Sequence, residues 1–284
     1  MKISIITPSY NQKDYLEQTI KSVWSQKGDF ELEHIIADGG STDETVTILK
    51  KYQRIYEQKL NKVGCKNFVF KWWSKKDNGQ SEAIMKGFNV STGDVVNWIN
   101  SDDYFSNDKA LEKIIEAFKV NNTDIVVGNG EIADQEGRVI SSFRQLNDLD
   151  NNKFQKKLKL LRYGDFLCQQ SVFIRSEVFK KYRLNENLSY CMDWDLYLRL
   201  AKDKVRFYFI PEFIGVIREQ ENAKTILAPK KYYYERMIVY LKYGGWLSLG
   251  FYYSVIKYFF NKNKKIETIA SWLRERLPFY KLKV

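Results

Sequence analysis

With 284 residues, 44% of them hydrophobic and 15% aromatic, the chain has enough apolar material for one sizeable core and an appendage. Three widely spaced cysteines, Cys65, Cys168 and Cys191, form no CxxC pair; this argues against a disulfide frame or zinc site and suits reduced thiols in a cytosolic protein. The net charge of +11 is uneven: residues 226–284 hold 12 Lys/Arg against 3 Asp/Glu, and the remainder 34 against 32, so the basic character belongs to the C-terminal tail.

The start, Met1 to Pro8, is too short an apolar run for a signal peptide and reads as a first strand over Ile3–Thr7. No run of roughly 18 apolar residues offers a membrane-spanning helix. Pro8-Ser9-Tyr10-Asn11 are turn formers, after which Asp14 can cap a helix with Leu16, Ile20, Val23 and Trp24 on one face. A second strand, Leu32–Ala37, runs into Asp38-Gly39-Gly40-Ser41-Thr42-Asp43, where the glycines allow a ligand close to the backbone. Ser41 or Asp43 can cap the next helix, over roughly residues 44–56. A third strand covers Asn67–Trp73, followed by Asp77-Asn78-Gly79-Gln80 and a helix over Ser81–Val90. Strand, polar loop and helix alternate, which predicts an α/β fold with a largely parallel sheet.

The fourth strand, Val95–Ile99, carries the feature that organises the rest. It ends in Asn100-Ser101-Asp102-Asp103, two adjacent carboxylates where the strand leaves the sheet. Neighbouring carboxylates repel and resist burial unless a cation or hydrogen-bond donors balance them. The loops after the second, third and fourth strands share one rim of a parallel sheet, so Asp38, Asp77 and Asp102/Asp103 are expected to converge. A divalent metal carrying phosphate oxygens suits such a cluster. His34 is the only histidine and reads as structural, which argues against a triad hydrolase or a histidine-rich metal centre; no P-loop or GxGxxG occurs.

Further along, Asp108 can cap a helix through Phe118, Ile125–Gly128 forms a strand, and Glu131–Ser142 a hairpin turning at Asp134-Gln135-Glu136-Gly137. Residues 153–162 read as a basic helix and Gln169–Ile174 as a short strand. Met192-Asp193-Trp194-Asp195-Leu196 opens a partly buried helix; at that end an acid serves as a cap, and capping does not exclude catalysis.

Five motifs in order, spread over roughly residues 1–225, carry a family resemblance. They are Thr7-Pro8-Ser9-Tyr10-Asn11, Asp38-Gly39-Gly40-Ser41-Thr42-Asp43, Asp77-Asn78-Gly79-Gln80 with Lys86-Gly87, Asn100-Ser101-Asp102-Asp103, and Asp193-Trp194-Asp195-Leu196. The chain resembles the inverting family 2 glycosyltransferases of bacterial surface-polysaccharide synthesis, which have the GT-A fold. The resemblance implies a Rossmann-like mixed, largely parallel sheet flanked by helices. It implies a nucleoside pocket at Thr7, Pro8, Tyr10, Asp38, Asp77 and Gln80, ribose contact at Asp102, and Mn²⁺ or Mg²⁺ at Asp103 bridging the diphosphate of a UDP-linked donor. Asp193 matches the family's general base, with Asp195 as fallback. Many relatives carry a histidine, which helps hold the diphosphate or the metal, where this chain has Gln220; Gln220 can coordinate weakly through its carbonyl, or the role can pass to Arg218 or Lys224.

These readings place a catalytic domain at residues 1–225 and a basic, aromatic helical extension at 226–284. Interleaved Lys, Tyr and Trp suit adsorption to the anionic inner face of the cell membrane, where a lipid-linked glycan acceptor is held. The alternatives are packing of the tail on the catalytic domain, or on a second subunit as a homodimer. Nucleic acid is not expected as a partner, because no recognised nucleic-acid fold signature is present. The alternative functions are a catalytically silent nucleotide-sugar-binding or scaffolding subunit, against which retention of Asp103 together with Asp193 argues, and, less favoured, a basic nucleic-acid-binding protein.

Overall fold

The computed structural model describes residues 1–58, 63–143, 150–220 and 227–260. Its elements follow in chain order. The first half contains β1 (Lys2–Ser9), α1 (Leu16–Trp24), β2 (Lys27–Asp38), α2 (Thr45–Glu57), β3 (Gly64–Ser74), α3 (Gln80–Asn89), β4 (Val95–Trp98), β5 (Tyr104–Phe105) and α4 (Ala110–Val120). The second half contains β6 (Ile125–Ala133), β7 (Val139–Phe143), α5 (Asn151–Lys157), β8 (Val172–Arg175), α6 (Ser176–Tyr182), α7 (Met192–Lys202), β9 (Phe207–Arg218), α8 (Pro229–Lys242) and α9 (Leu249–Phe260).

Among the described residues the strands form one sheet in the order β3-β2-β1-β4-β8-β6-β9-β5, with β7 on β6. The first four strands are mutually parallel, and β1 and β4 read as the apolar runs of strands buried on both faces, while β3 is a half-exposed edge. Strand β8 enters antiparallel between β4 and β6, and β9 runs parallel to β6, so the fold is mixed α/β. The chain leaves β1 for β2 on one side and returns to β4 on the other. That reversal opens a crevice at the carboxyl ends of β1 and β4, where open α/β sheets bind ligands.

Apolar side chains cover both faces. One core cluster joins Ile3, Ile5, Val95 and Val126 to α1, α2 and α4 through Ile20, Leu49 and Ile114. The other joins Ile6, Val96 and Trp98 to α3, α7 and α8 through Ile84, Trp194, Val239 and Tyr240. Helix α8 therefore packs on the domain that holds the motifs.

Local corrections follow from longer-range partners. Tyr15, not Asp14, takes the N-cap position of α1, and Lys109, not Asp108, that of α4; neither makes a side-chain cap. Asp108 instead pairs with Lys27 at 2.6 Å. At α2, Asp43 Oδ1 accepts from the Thr45 amide at 3.0 Å, while Ser41 turns back to Asp38. The basic stretch expected as one helix is α5 followed by a tighter 3₁₀ turn over Leu158–Tyr163, and Gln169–Ser171 is a 3₁₀ turn rather than strand.

Candidate active site

Asp38 closes β2 and is fully buried. Its Oδ2 accepts from the amides of Gly40 (3.1 Å) and Ser41 (2.9 Å) and from Ser74 Oγ (2.6 Å), and its Oδ1 from Ser41 Oγ (2.5 Å). The carboxylate thus folds the glycine loop, with Gly40 at φ +84°, open to a residue without Cβ. Thr7 is likewise buried, its hydroxyl bonded to His34 Nε2 at 3.0 Å. Both stand behind the crevice wall. Tyr10, 60% exposed, stands at its mouth. The loop of Asp77 lies against the glycine loop so closely that a Cβ on Gly39 would come within 2.9 Å of Asp77 Oδ2. Burial raises the Asp77 carboxyl above its usual range, opposed by the Gly79 amide at 2.9 Å.

The acid pair is wired to side-chain amides. Gln80 Nε2 donates to Asn100 Oδ1 (2.6 Å), and Asn100 Nδ2 donates to Asp103 Oδ2 (2.9 Å), which also accepts from Gln170 Nε2. Asp103 Oδ1 takes the Arg218 amide at 3.0 Å, and Asp102 Oδ2 accepts from Gln220 Nε2. Burial, then the neighbouring Asp102, pushes Asp103 up to about 8, and burial also raises Asp102. The Arg218 guanidinium spends its donors on the backbone of Asp102 (2.9 Å) and Gln135 (2.6 Å) and on Gln18, between the rings of Tyr15 and Tyr104.

Asp193 lies in the first turn of α7, half-buried, with Oδ1 accepting the Trp194 amide at 2.8 Å; the N-cap position belongs to Cys191, which makes no side-chain cap. Its charge adds to burial in raising Asp165 well above the carboxylate range. Asp195, 1% exposed and outside the cavity lining, lies in a cluster with Arg199 (2.8 Å), Lys242 (2.8 Å) and Tyr243 (2.7 Å), so both of its oxygens are already hydrogen-bonded.

One cavity of about 940 Å³ collects these groups. Pro8, Tyr10, Asp77, Gln80, Asp102, Asp103, Asp193 and Arg218 line it; Thr7 and Asp38 do not, and Lys224 lies outside the described residues. Lys76, Asn100, Gln169, Gln170 and Tyr190 also line it and carried no role in the sequence reading. The adjacent amides Gln169-Gln170, in a segment otherwise apolar, were the available signal. Ser9 Oγ and Gln169 Oε1 are buried without a hydrogen-bond partner, as is common where a ligand completes the set.

Two adjacent buried carboxylates, both raised above the usual carboxylate range by burial, suit a hard divalent cation, which would supply the opposite charge they lack. Among the described residues no group of three or more His, Cys, Asp and Glu side chains forms around them, so the rest of a cation's shell would come from ligand oxygens and water.

Comparison with known proteins agrees with this architecture. The model of glycosyl transferase family 2 matches residues 4–183, more than half of the chain. A glycosyltransferase of Mycobacterium tuberculosis is 33% identical over 115 residues, which cover 40% of this chain and 39% of that one. The putative teichuronic acid biosynthesis glycosyltransferase TuaG of Bacillus subtilis is 31% identical over 141 residues, covering 50% and 51% respectively. The chain thus spans about two-fifths to one half of these relatives' length. In fold it matches the crystal structure of S. aureus TarS 1-349 in complex with UDP-GlcNAc, with a TM-score of 0.60 at 15% identity over 99% of this chain and 89% of that one. A family pattern running through most of the sheet, on a fold shared along nearly the whole length, places the chain in glycosyltransferase family 2 with the GT-A architecture.

Proposed function

We propose that this protein transfers one sugar, with inversion, from a UDP-linked donor to a hydroxyl of a glycan or lipid-linked glycan during synthesis of a surface polysaccharide. The observation that carries the reading is that the acid pair Asp102/Asp103 and the helix-borne Asp193 line the same cavity. Asp193 takes the proton of the acceptor hydroxyl as its oxygen attacks the anomeric carbon. The bond from that carbon to the diphosphate oxygen breaks, its electron pair leaves with the nucleoside diphosphate, and the configuration inverts without a covalent enzyme intermediate. Tyr10 offers a ring face for the base, Asp77 completes the pocket, and Asp38 and Thr7 shape it from behind. Mn²⁺ or Mg²⁺ at Asp103, beside Asp102, would neutralise charge on the departing diphosphate. Arg218 is committed to the scaffold of the pair, so its effect on phosphate is electrostatic, and among the described residues Lys76 lines the cavity as a further cation for direct contact; Lys224 is the other candidate from the sequence.

The UDP-GlcNAc held by the TarS structure supports a uridine donor, and the name of TuaG supports a surface-glycan setting. The exposed aromatic side chains of α8 and α9 support action at the inner face of the membrane; no helix among the described residues is long and apolar enough to cross a membrane. The test is calorimetric titration of UDP, GDP and dTDP with and without Mn²⁺, on wild type and Asp103→Ala. The reading requires metal-dependent binding of UDP that the variant loses. Absence of nucleotide binding under every condition overturns it, and metal-independent binding moves the diphosphate contact to the lysines.

A further inference from the structure

The backbone just before α7 is gathered onto a single side chain. Glu235 of α8, 3% exposed, accepts from three consecutive amides through Oε2: Ser189 at 3.0 Å, Tyr190 at 2.7 Å and Cys191 at 3.2 Å; Oε1 takes Ser189 as well, at 2.9 Å. Successive N–H groups aimed at one point make an anion-binding nest, and here the chain fills it with its own carboxylate from another helix. Cys191 stands at the N-cap of α7 without any side-chain cap, so the nest is what holds the entry into that helix. Asp193 follows two residues later.

Helix α8 grips the other neighbours of Asp193 too. Trp194 meets the Tyr240 ring edge-on at 4.8 Å with the Arg236 guanidinium 5.4 Å over its own ring, and Asp195 binds Lys242 and Tyr243. Ser189, Tyr190 and Met192 line the cavity, as do Leu227 and Ala228 at the start of α8. The first turn of α7 therefore faces the cavity on one side and is clasped by α8 on the other.

We propose that Glu235 is a positioning residue for the transfer reaction: by holding the amides of residues 189–191 it sets where the Asp193 carboxylate stands. The proposal rests on Asp193 being the base. Displacement of a reacting group by about 1 Å costs on the order of 100-fold in rate, whereas the acid pair is bonded to Asn100, Gln170, Arg218 and Gln220, none of them on α7.

The test measures UDP release from UDP-N-acetylglucosamine with water as acceptor, and UDP affinity, for wild type, Glu235→Gln, Glu235→Asp and Asp193→Asn. Glu235→Gln is expected to lower kcat by about 10- to 100-fold with UDP affinity and KM unchanged, and Glu235→Asp, which keeps the charge, to recover part of the loss. Should the Gln variant fail to fold, the Asp variant decides. A folded variant at position 235 with wild-type kcat overturns the proposal, even if its Tm is lower, because that is the signature of a contact that only stabilises. Asp193→Asn with wild-type turnover overturns the base reading instead. An inert wild type counts against the donor reading and withdraws this proposal with it.

Discussion

His34 sits in the middle of β2 between two fixed partners. The indole Nε1–H of Trp24 donates to Nδ1 at 3.2 Å, so the ring proton resides on Nε2 and points at Thr7 Oγ1. Burial pushes this histidine down to about 3, and it stays neutral in the folded state. The unfolded chain binds a proton near the ordinary value of 6.5, so its stabilising contribution is complete above that pH and is lost as the pH falls toward 3. Between pH 7 and 5 wild type should lose roughly 1–2 kcal/mol more than His34→Gln, measured by urea unfolding. Parallel losses would show that His34 does not carry the dependence. A lone histidine within an apolar strand was legible as structural. The duty of Asp38 was not, because one of its four donors, Ser74, arrives from 36 residues further on and no local spacing encodes that meeting.

At the scale of elements, α7 and α8 are joined through Asp195, whose two oxygens serve Arg199, Lys242 and Tyr243. Asp195→Asn should cost about 1–3 kcal/mol in denaturant unfolding, with Lys242 contributing little because it is half exposed, and should leave UDP affinity unchanged. A loss below about 0.5 kcal/mol would make the cluster a surface ornament. The parallel strands β1 to β4 were readable from runs of apolar residues. Strand β9 was not, since Pro211 interrupts it and the ladder to β6 slips twice, between Val127 and Asn129 and again before Gly130. Helix caps failed for a similar reason: Asp108 had a better partner in Lys27, distant in sequence.

At the scale of the molecule, the C-terminal helices have two characters. Their inner side, through Glu235, Val239 and Tyr240, belongs to the core. Their outer side leaves Trp246, Leu247, Tyr252, Phe259 and Phe260 exposed, and Lys230 and Lys231 are exposed as well. Basic, aromatic composition pointed to a surface face and left packing on the domain as an alternative, because packing on a domain and adsorption to lipid demand the same amphipathic pattern. The protein should pellet with phosphatidylglycerol vesicles and not with phosphatidylcholine vesicles, losing about 1 kcal/mol per surface cation as salt rises. Equal recovery with both lipids, or a salt-stable dimer in their place, would contradict a membrane role for that face.

The seating of α8 also bears on the order in which the protein becomes competent during synthesis. Chains fold from the N-terminal end as they emerge, and the sheet with its acid pair is complete by Arg218. The amides of residues 189–191 still await a carboxylate made more than forty positions later. Until then the start of α7 is unclasped, and Trp194 lacks the Tyr240 ring that packs against it. The first turn of α7 would then be set late, when the segment from Pro229 to Lys242 reaches its seat.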